Sequence, residues 1–281
     1  MQPITKNTIG FHKTILFNLL NEAGYIDIED FQKKNGLQSD GAFGKISYAK
    51  LYQTLLKVVD VPFEGYYFKT PKVKNQIIWH HSAGSDSAIN MFQWWKVDKV
   101  THVGTPIGIT DDGTVFRGYD EEFWAASIGC KNQAFIDNKI PLIYRNGRID
   151  NNMILDEGSV TVEVCNWGSL TEKDGKFFSW ANAEVPKDKV IPLEYKYQKY
   201  FELYTDEELK SLKYWTLLNA VRFQIPIDFS YDDMFSVSKK ALSGEKGLFS
   251  HNSYRSDKND VAPQPKLVQM AKGLIDYTKY N

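Results

Sequence analysis

The sequence predicts an α/β chain preceded by a small helical module. Two observations carry this. Apolar residues in the first sixty positions repeat at helical spacing, and from Asn75 onward β-branched runs alternate with helical periods and turn signals. The composition permits such a fold. A chain of 281 residues, 42% hydrophobic, has room for one large domain, or a main domain plus a small module, with a real core. A formal net charge of −1 lacks the basic excess of a nucleic-acid binder, so no nucleic-acid partner is expected. Cys130 and Cys165 are too few for a disulfide scaffold or a four-cysteine zinc site. The aromatic share of 14% suits a sugar-binding groove or an ordinary core equally.

Taken in order, Phe11, Ile15, Leu16, Leu19 and Leu20 mark a first helix stopped by Gly24. A second helix is expected from Asp27 to Lys34, ending at Asn35-Gly36. Turn residues fill Ser39 to Gly44, and a third helix carries Ala49, Leu51, Leu55, Leu56 and Val59. Three short helices bury little surface, so the module is marginal alone. Pro62 and Pro71 bracket an aromatic-rich connector, Phe63 to Lys69. The expected division is therefore a module at 1–60, a linker at 61–73 and a main domain at 74–281.

In the main domain, Asn75 to Ser82 reads as a strand. Gly104 to Thr110 and Thr114 to Tyr119 flank the hairpin signal Asp111-Asp112-Gly113, and Ser159 to Asn166 is a β-branched run expected at the centre of a sheet. Thr205-Asp206-Glu207-Glu208 is a capping-box pattern. The helix it opens carries Leu209, Leu212, Ala220 and Phe223 on one face, with Pro226 beyond its end. Lys131 to Glu157 and Thr171 to Lys199 read as irregular insertions or loops. The early apolar stretch Thr14 to Leu20 contains Asn18 and is too short to span a bilayer, so no stable membrane insertion is expected. The N-terminus lacks the charged start, apolar run and small-residue cleavage site of a secretory signal.

Few residues offer chemistry. His80 and His81 end an apolar strand and point to opposite faces, so one of them at most faces a given site. His251 lies in a polar segment with no strand or helix period. Glu163 stands inside Ser159-Val160-Thr161-Val162-Glu163-Val164-Cys165, where an ionised carboxylate is costly unless paired or solvated in a cleft. Two readings stay open for it: half of a buried salt bridge, or a working carboxylate beside a metal. Cys165 shares its face and is a rival metal ligand. His12 is expected on the surface of the small module.

These segments resemble known families. Asp30-Phe31-Gln32-Lys33-Lys34-Asn35-Gly36-Leu37, followed by Asp40-Gly41-Ala42-Phe43-Gly44, resembles the signature of small peptidoglycan-binding domains. Trp79-His80-His81-Ser82-Ala83 resembles the first zinc motif of type 2 N-acetylmuramoyl-L-alanine amidases. Thr101-His102 with Ile109 to Val115 is similar to that family's strand, Asp-Gly turn and return strand. Ser159 to Gly168 looks like its central strand, and His251 with Lys258-Asn259-Asp260 like its closing motif. The resemblance implies a central mixed β-sheet flanked by helices. It implies His80, His251 and Asp260 as ligands of Zn2+, Glu163 as general base, and Lys258 as a cation near the developing oxyanion. His81 and His102 are expected to support the site. Ser127 stands where the family usually has a substrate-contacting histidine, and Val261 where proline is common.

The activity implied is hydrolysis of the amide between N-acetylmuramic acid and the L-alanine of the stem peptide, with peptidoglycan as partner. A phage endolysin is the expected setting: made in the cytoplasm of an infected bacterium and acting on the wall after release by another agent. The alternatives are a non-catalytic peptidoglycan-recognition protein and a virion-associated structural component on the same fold.

Overall fold

The helical periods at the N-terminus fold much as read. α1 (Phe11–Glu22) buries Ile15, Leu16, Leu19 and Leu20. His12, expected on the surface, is buried in the same helix, and burial lowers its pKa. α2 (Ile28–Lys34) is capped by Asp27, whose side chain accepts from the Asp30 amide at 2.8 Å. Gln32 and Asp40 hold the turn that follows: Gln32 Nε2 donates to Asp40 Oδ1 at 2.8 Å, and its Oε1 accepts from the Gly41 amide at 3.0 Å. α3 (Lys45–Leu55) stops four residues short of Val59. Val58 and Val59 instead form β1 (Val58–Asp60), because a partner strand in the main sheet supplies the hydrogen bonds that β-branched residues favour. The computed structural model describes residues 1–61, 64, 66–97 and 102–279. The predicted boundary residues Pro62 and Phe63, and Thr101, lie outside them.

From here elements alternate: β2 (Gln76–His81), α4 (Ala88–Trp95), β3 (Ile107–Ile109), β4 (Val115–Arg117), α5 (Asn132–Asp137), the short pair β5 (Tyr144–Arg145) and β6 (Arg148–Ile149), α6 (Asn151–Glu157) and β7 (Ser159–Val164). Five strands follow, with one 3-10 turn, Lys187–Lys189, among them: β8 (Ser169–Lys173), β9 (Lys176–Phe178), β10 (Glu184–Val185), β11 (Val190–Tyr195) and β12 (Gln198–Glu202). The chain closes with α7 (Asp206–Phe223), α8 (Tyr231–Phe235), α9 (Lys239–Leu242), β13 (Gly247–Ser250) and α10 (Pro265–Gly273). The capping box opens α7 as read, with the Glu208 amide donating to Thr205 at 3.0 Å.

Among the described residues the main sheet has six strands in the order β1-β4-β3-β7-β2-β13. Only the β3–β4 hairpin is antiparallel; the other pairings are parallel. β2 and β7 are buried at every position, as expected of parallel strands covered on both faces. A second sheet, β10-β9-β8-β12-β11, is wholly antiparallel. It overturns the reading of Thr171 to Lys199 as irregular. Few positions in these strands are buried, and Pro192 is tolerated because β11 is an edge strand. Lys131 to Glu157 is likewise ordered, as α5, the β5–β6 pair and α6.

Trp79, Ile107, Val162 and Leu248 face α7, and α1 packs on the outer side of that helix. One core therefore runs without a break from Ile4 to Leu274, through all three N-terminal helices. Polar contacts cross the same seam. Glu121, 1% exposed, accepts from Tyr52 Oη at 3.0 Å, Trp215 Nε1 at 3.3 Å and Arg222 at 3.2 Å. The opposite face of the sheet is covered by α4 and by smaller apolar clusters around Ile78 and Phe249. No helix among the described residues is long and apolar enough to cross a membrane.

Candidate metal centre

Parallel pairing places the candidate residues in one row. Gly108 of β3 is in register with Glu163 of β7, which is in register with His80 of β2. On the other side of β2, Trp79 pairs with Ser250, so His251 emerges beside His80 at the end of β13. The row lies at the carboxyl ends of β2, β7 and β13, where sheets of this kind present their ligands. Gly108 is required there: a Cβ would stand 2.7 Å from Ala88 Cβ and 2.8 Å from Met91 Cε. As expected from strand alternation, His80 and His81 part company. His81 Nδ1 lies 3.1 Å from Tyr204 Oη on the α7 side and 3.3 Å from the Val261 amide, from which it accepts.

Three side-chain atoms converge. His251 Nδ1 is 3.1 Å from His80 Nδ1 and 2.7 Å from Asp260 Oδ2, and the third edge, His80 Nδ1 to Asp260 Oδ2, is 3.9 Å. All three residues are buried. His251 Nε2 donates to the Ile128 carbonyl at 2.8 Å, which leaves Nδ1 as the ring nitrogen turned inward. Burial, and next the neighbouring His251, push the His80 imidazole well below its usual pKa. Burial opposes ionisation of Asp260, yet His251, His81 and Lys258 hold its carboxyl well below the usual range. Two ring nitrogens and a carboxylate oxygen thus converge on one point, and each of them can offer a lone pair there. Ligands about 2.0–2.1 Å from zinc stand about 3.3–3.4 Å apart in a tetrahedron, and the three edges bracket that spacing. Imidazole with a carboxylate suits zinc chemistry. The donor set fits.

Glu163 sits beside this cluster, 9% exposed, and its Oε2 is buried with no hydrogen-bond partner. Burial, then Asp260, raises its pKa well above the carboxylate norm, and Lys258 works against the rise. No ion pair closer than 4 Å involves Glu163 among the described residues, which removes the salt-bridge reading. Glu163, Lys258, Ser127, Trp95 and the three converging residues line a cleft of about 180 Å3. Cys165, the rival ligand, is 1% exposed in an apolar cluster with Ala88 and Phe92 and takes no part in the metal-ligand set. His102 also stands outside that set and packs against Phe68, centroids 4.7 Å apart. Ser127 is held by its amide, which donates to Asp156 Oδ1 at 2.9 Å.

Sequence reasoning missed several supports. The Ile128 carbonyl that fixes the His251 tautomer is a backbone atom and carries no residue signal. Gly168 had one: it has φ 73°, and a Cβ there would lie 2.3 Å from His81 Cε1. Asn252, beside His251, donates to the Asp260 carbonyl and is fully buried. Val261, directly after Asp260, is a buried β-branched residue at φ 55°, a conformation that needs a surrounding structure to hold it.

The chain matches no protein-family model and no curated protein sequence. Solved structures show some likeness. N-acetylmuramoyl-L-alanine amidase LysC from Clostridium intestinale URNW gives a TM-score of 0.42 at 13% identity, covering 78% of this chain and 97% of its own. PlyL gives 0.41 at 12%, covering 80% and 98%. Staphylococcus aureus hydrolase AmiA, in complex with its ligand, gives 0.41 at 12%, covering 90% and 89%. Likeness of this extent carries no argument about activity, which rests on the row Gly108, Glu163, His80 and His251.

Proposed function

We propose that this protein is a zinc-dependent peptidoglycan hydrolase that cleaves the amide joining N-acetylmuramic acid to the L-alanine of the stem peptide. The observation that carries the reading is a buried, unpaired carboxylate in register with one member of a three-atom ligand set, at the wall of an open cleft. His80, His251 and Asp260 would hold the metal. Zinc bound there would polarise the scissile carbonyl and make water more acidic. Glu163 takes the water's proton, a task suited to a carboxylate whose pKa burial has raised, and delivers it to the leaving amine of L-alanine. Lys258 presents positive charge to the carbonyl oxygen as it gains negative charge.

Residues 1–60 serve as the wall-binding face and 74–281 as the catalytic part, joined through 61–73. The chain acts as a phage endolysin, made in the bacterial cytoplasm and reaching the wall after release. The test is incubation of the purified protein with muropeptides and mass analysis of products. Free glycan with an intact stem peptide supports the reading; cleavage within the stem, or no product, refutes it.

A further inference from the structure

Lys196 lies at the turn between β11 and β12 and plays no part in the chemistry above. Its backbone is left-handed, φ 55°, which is strained for a residue with a side chain. The turn is anchored on one side by Tyr195, whose hydroxyl donates to the Phe235 carbonyl at 2.7 Å, while Tyr197 on the other side is 99% exposed. Between them Lys196 sends its ammonium back toward the segment that carries the site. Nζ donates to Asn252 Oδ1 at 2.8 Å and to the Lys258 carbonyl.

An ammonium donates and never accepts. The contact therefore settles which end of the Asn252 amide faces Lys196: the oxygen. The amide nitrogen is left pointing inward, where it donates to the Asp260 carbonyl and to Ser250 Oγ at 3.3 Å. The second sheet grips the same segment once more, where Asn259 Nδ2 donates to Ser169 Oγ at 3.1 Å at the start of β8.

We infer that Lys196 is a positioning residue for the metal centre: through Asn252 and the Lys258 carbonyl it fixes the loop that presents Asp260 and Lys258. The inference rests on the reading of Asp260 as a metal ligand. It gives the second sheet a task, which is to clamp the closing loop of a site built on the first.

The test compares the full-length wild type with Lys196→Met, which keeps the stem and removes every donor, with Lys196→Arg, which keeps a donor, and with Lys199→Met, an equal loss of charge at an exposed position on β12. Two quantities are measured: zinc affinity by chelator competition, and amide hydrogen exchange across residues 252–261 before metal is added. Lys196→Met should weaken zinc binding about 10–100-fold, the usual effect of losing a group that orients a ligand, and should speed exchange across the loop. Lys196→Arg should restore most of both, and Lys199→Met should change neither. Zinc affinity within about twofold of wild type, or unchanged exchange, in Lys196→Met overturns the inference. Should the wild type take up no zinc, the metal reading fails, and the exchange comparison alone decides whether Lys196 holds the loop.

Discussion

The two sheets are built on opposite terms. β2 and β7 in the first are buried at all their positions and carry His80 and Glu163 in register with each other. β8 and β11 in the second have one buried position between them, Leu170, and lie over a small cluster whose buried members are Leu170, Phe177 and Val185. The first sheet has the packing to hold a charged group out of water at a fixed place, which is what a working carboxylate needs. The second lacks that packing, and reaches the site instead through long side chains and turns. The proposed chemistry sits where burial is deep, and the proposed adjustment where it is shallow.

The sharpest way to break this comparison is Glu163→Gln. Glutamine is nearly the same size and cannot take the water's proton, so turnover on muropeptides should fall by about 10²–10⁴-fold. Zinc content and melting temperature should hold, because no partner charge is stranded by the change. A large fall in melting with unchanged turnover per folded molecule would return Glu163 to a purely structural role. Next in size is His251→Ala. Zinc sites worth about 10–16 kcal/mol, shared among four ligands, lose roughly 3 kcal/mol with one of them, so metal analysis should find at least a hundredfold weaker binding. Cys165→Ser should leave the metal in place.

Stability separates the sheets more finely. Ile107→Ala, in the continuous core, should cost about 2–5 kcal/mol in denaturant unfolding; Leu170→Ala, beside a small cluster that can collapse, should fall at or below the lower end. Equal costs would erase the distinction. The smallest effect expected is one of pH. Burial raises Glu202 on β12 from 4.5 to about 7, against the pull of the Trp167 amide. Its folded form binds its proton more tightly than its unfolded form. The stability it contributes is therefore present below about 4.5 and lost as pH rises through about 7. Glu202→Gln should flatten that loss, visible as a melting temperature a few degrees higher at pH 8 and little changed at pH 4.

The same contrast governs what could be read in advance. Val160, Val162 and Val164 announce a buried strand because parallel strands need apolar residues on both faces. Thr205 and Glu208 announce a helix start because the capping box is local. The ligand triplet was named only through its resemblance to a family, since residues 80, 251 and 260 meet only when β13 pairs with β2. Thr171 to Lys199 defeated the reading because a sheet with few buried positions keeps too few apolar residues to show a period. Val59 was misread for another reason: the strand it joins is more than fifty residues away in sequence.

The seam at Glu121 has a consequence for the history of such a chain. Wall-acting proteins assembled from parts that merely hang on a tether can exchange those parts by a single crossover in the tether. Here α1 and α3 lie against α7, β1 lengthens the main sheet, and Tyr52 donates across the join to Glu121, which also accepts from Trp215. A foreign front end spliced in near residue 61 would arrive without Tyr52 and without β1, and would leave Glu121 short of a donor and β4 with a bare edge. The two halves are bound to change together, so variation at one side of the seam should be answered by variation at the other.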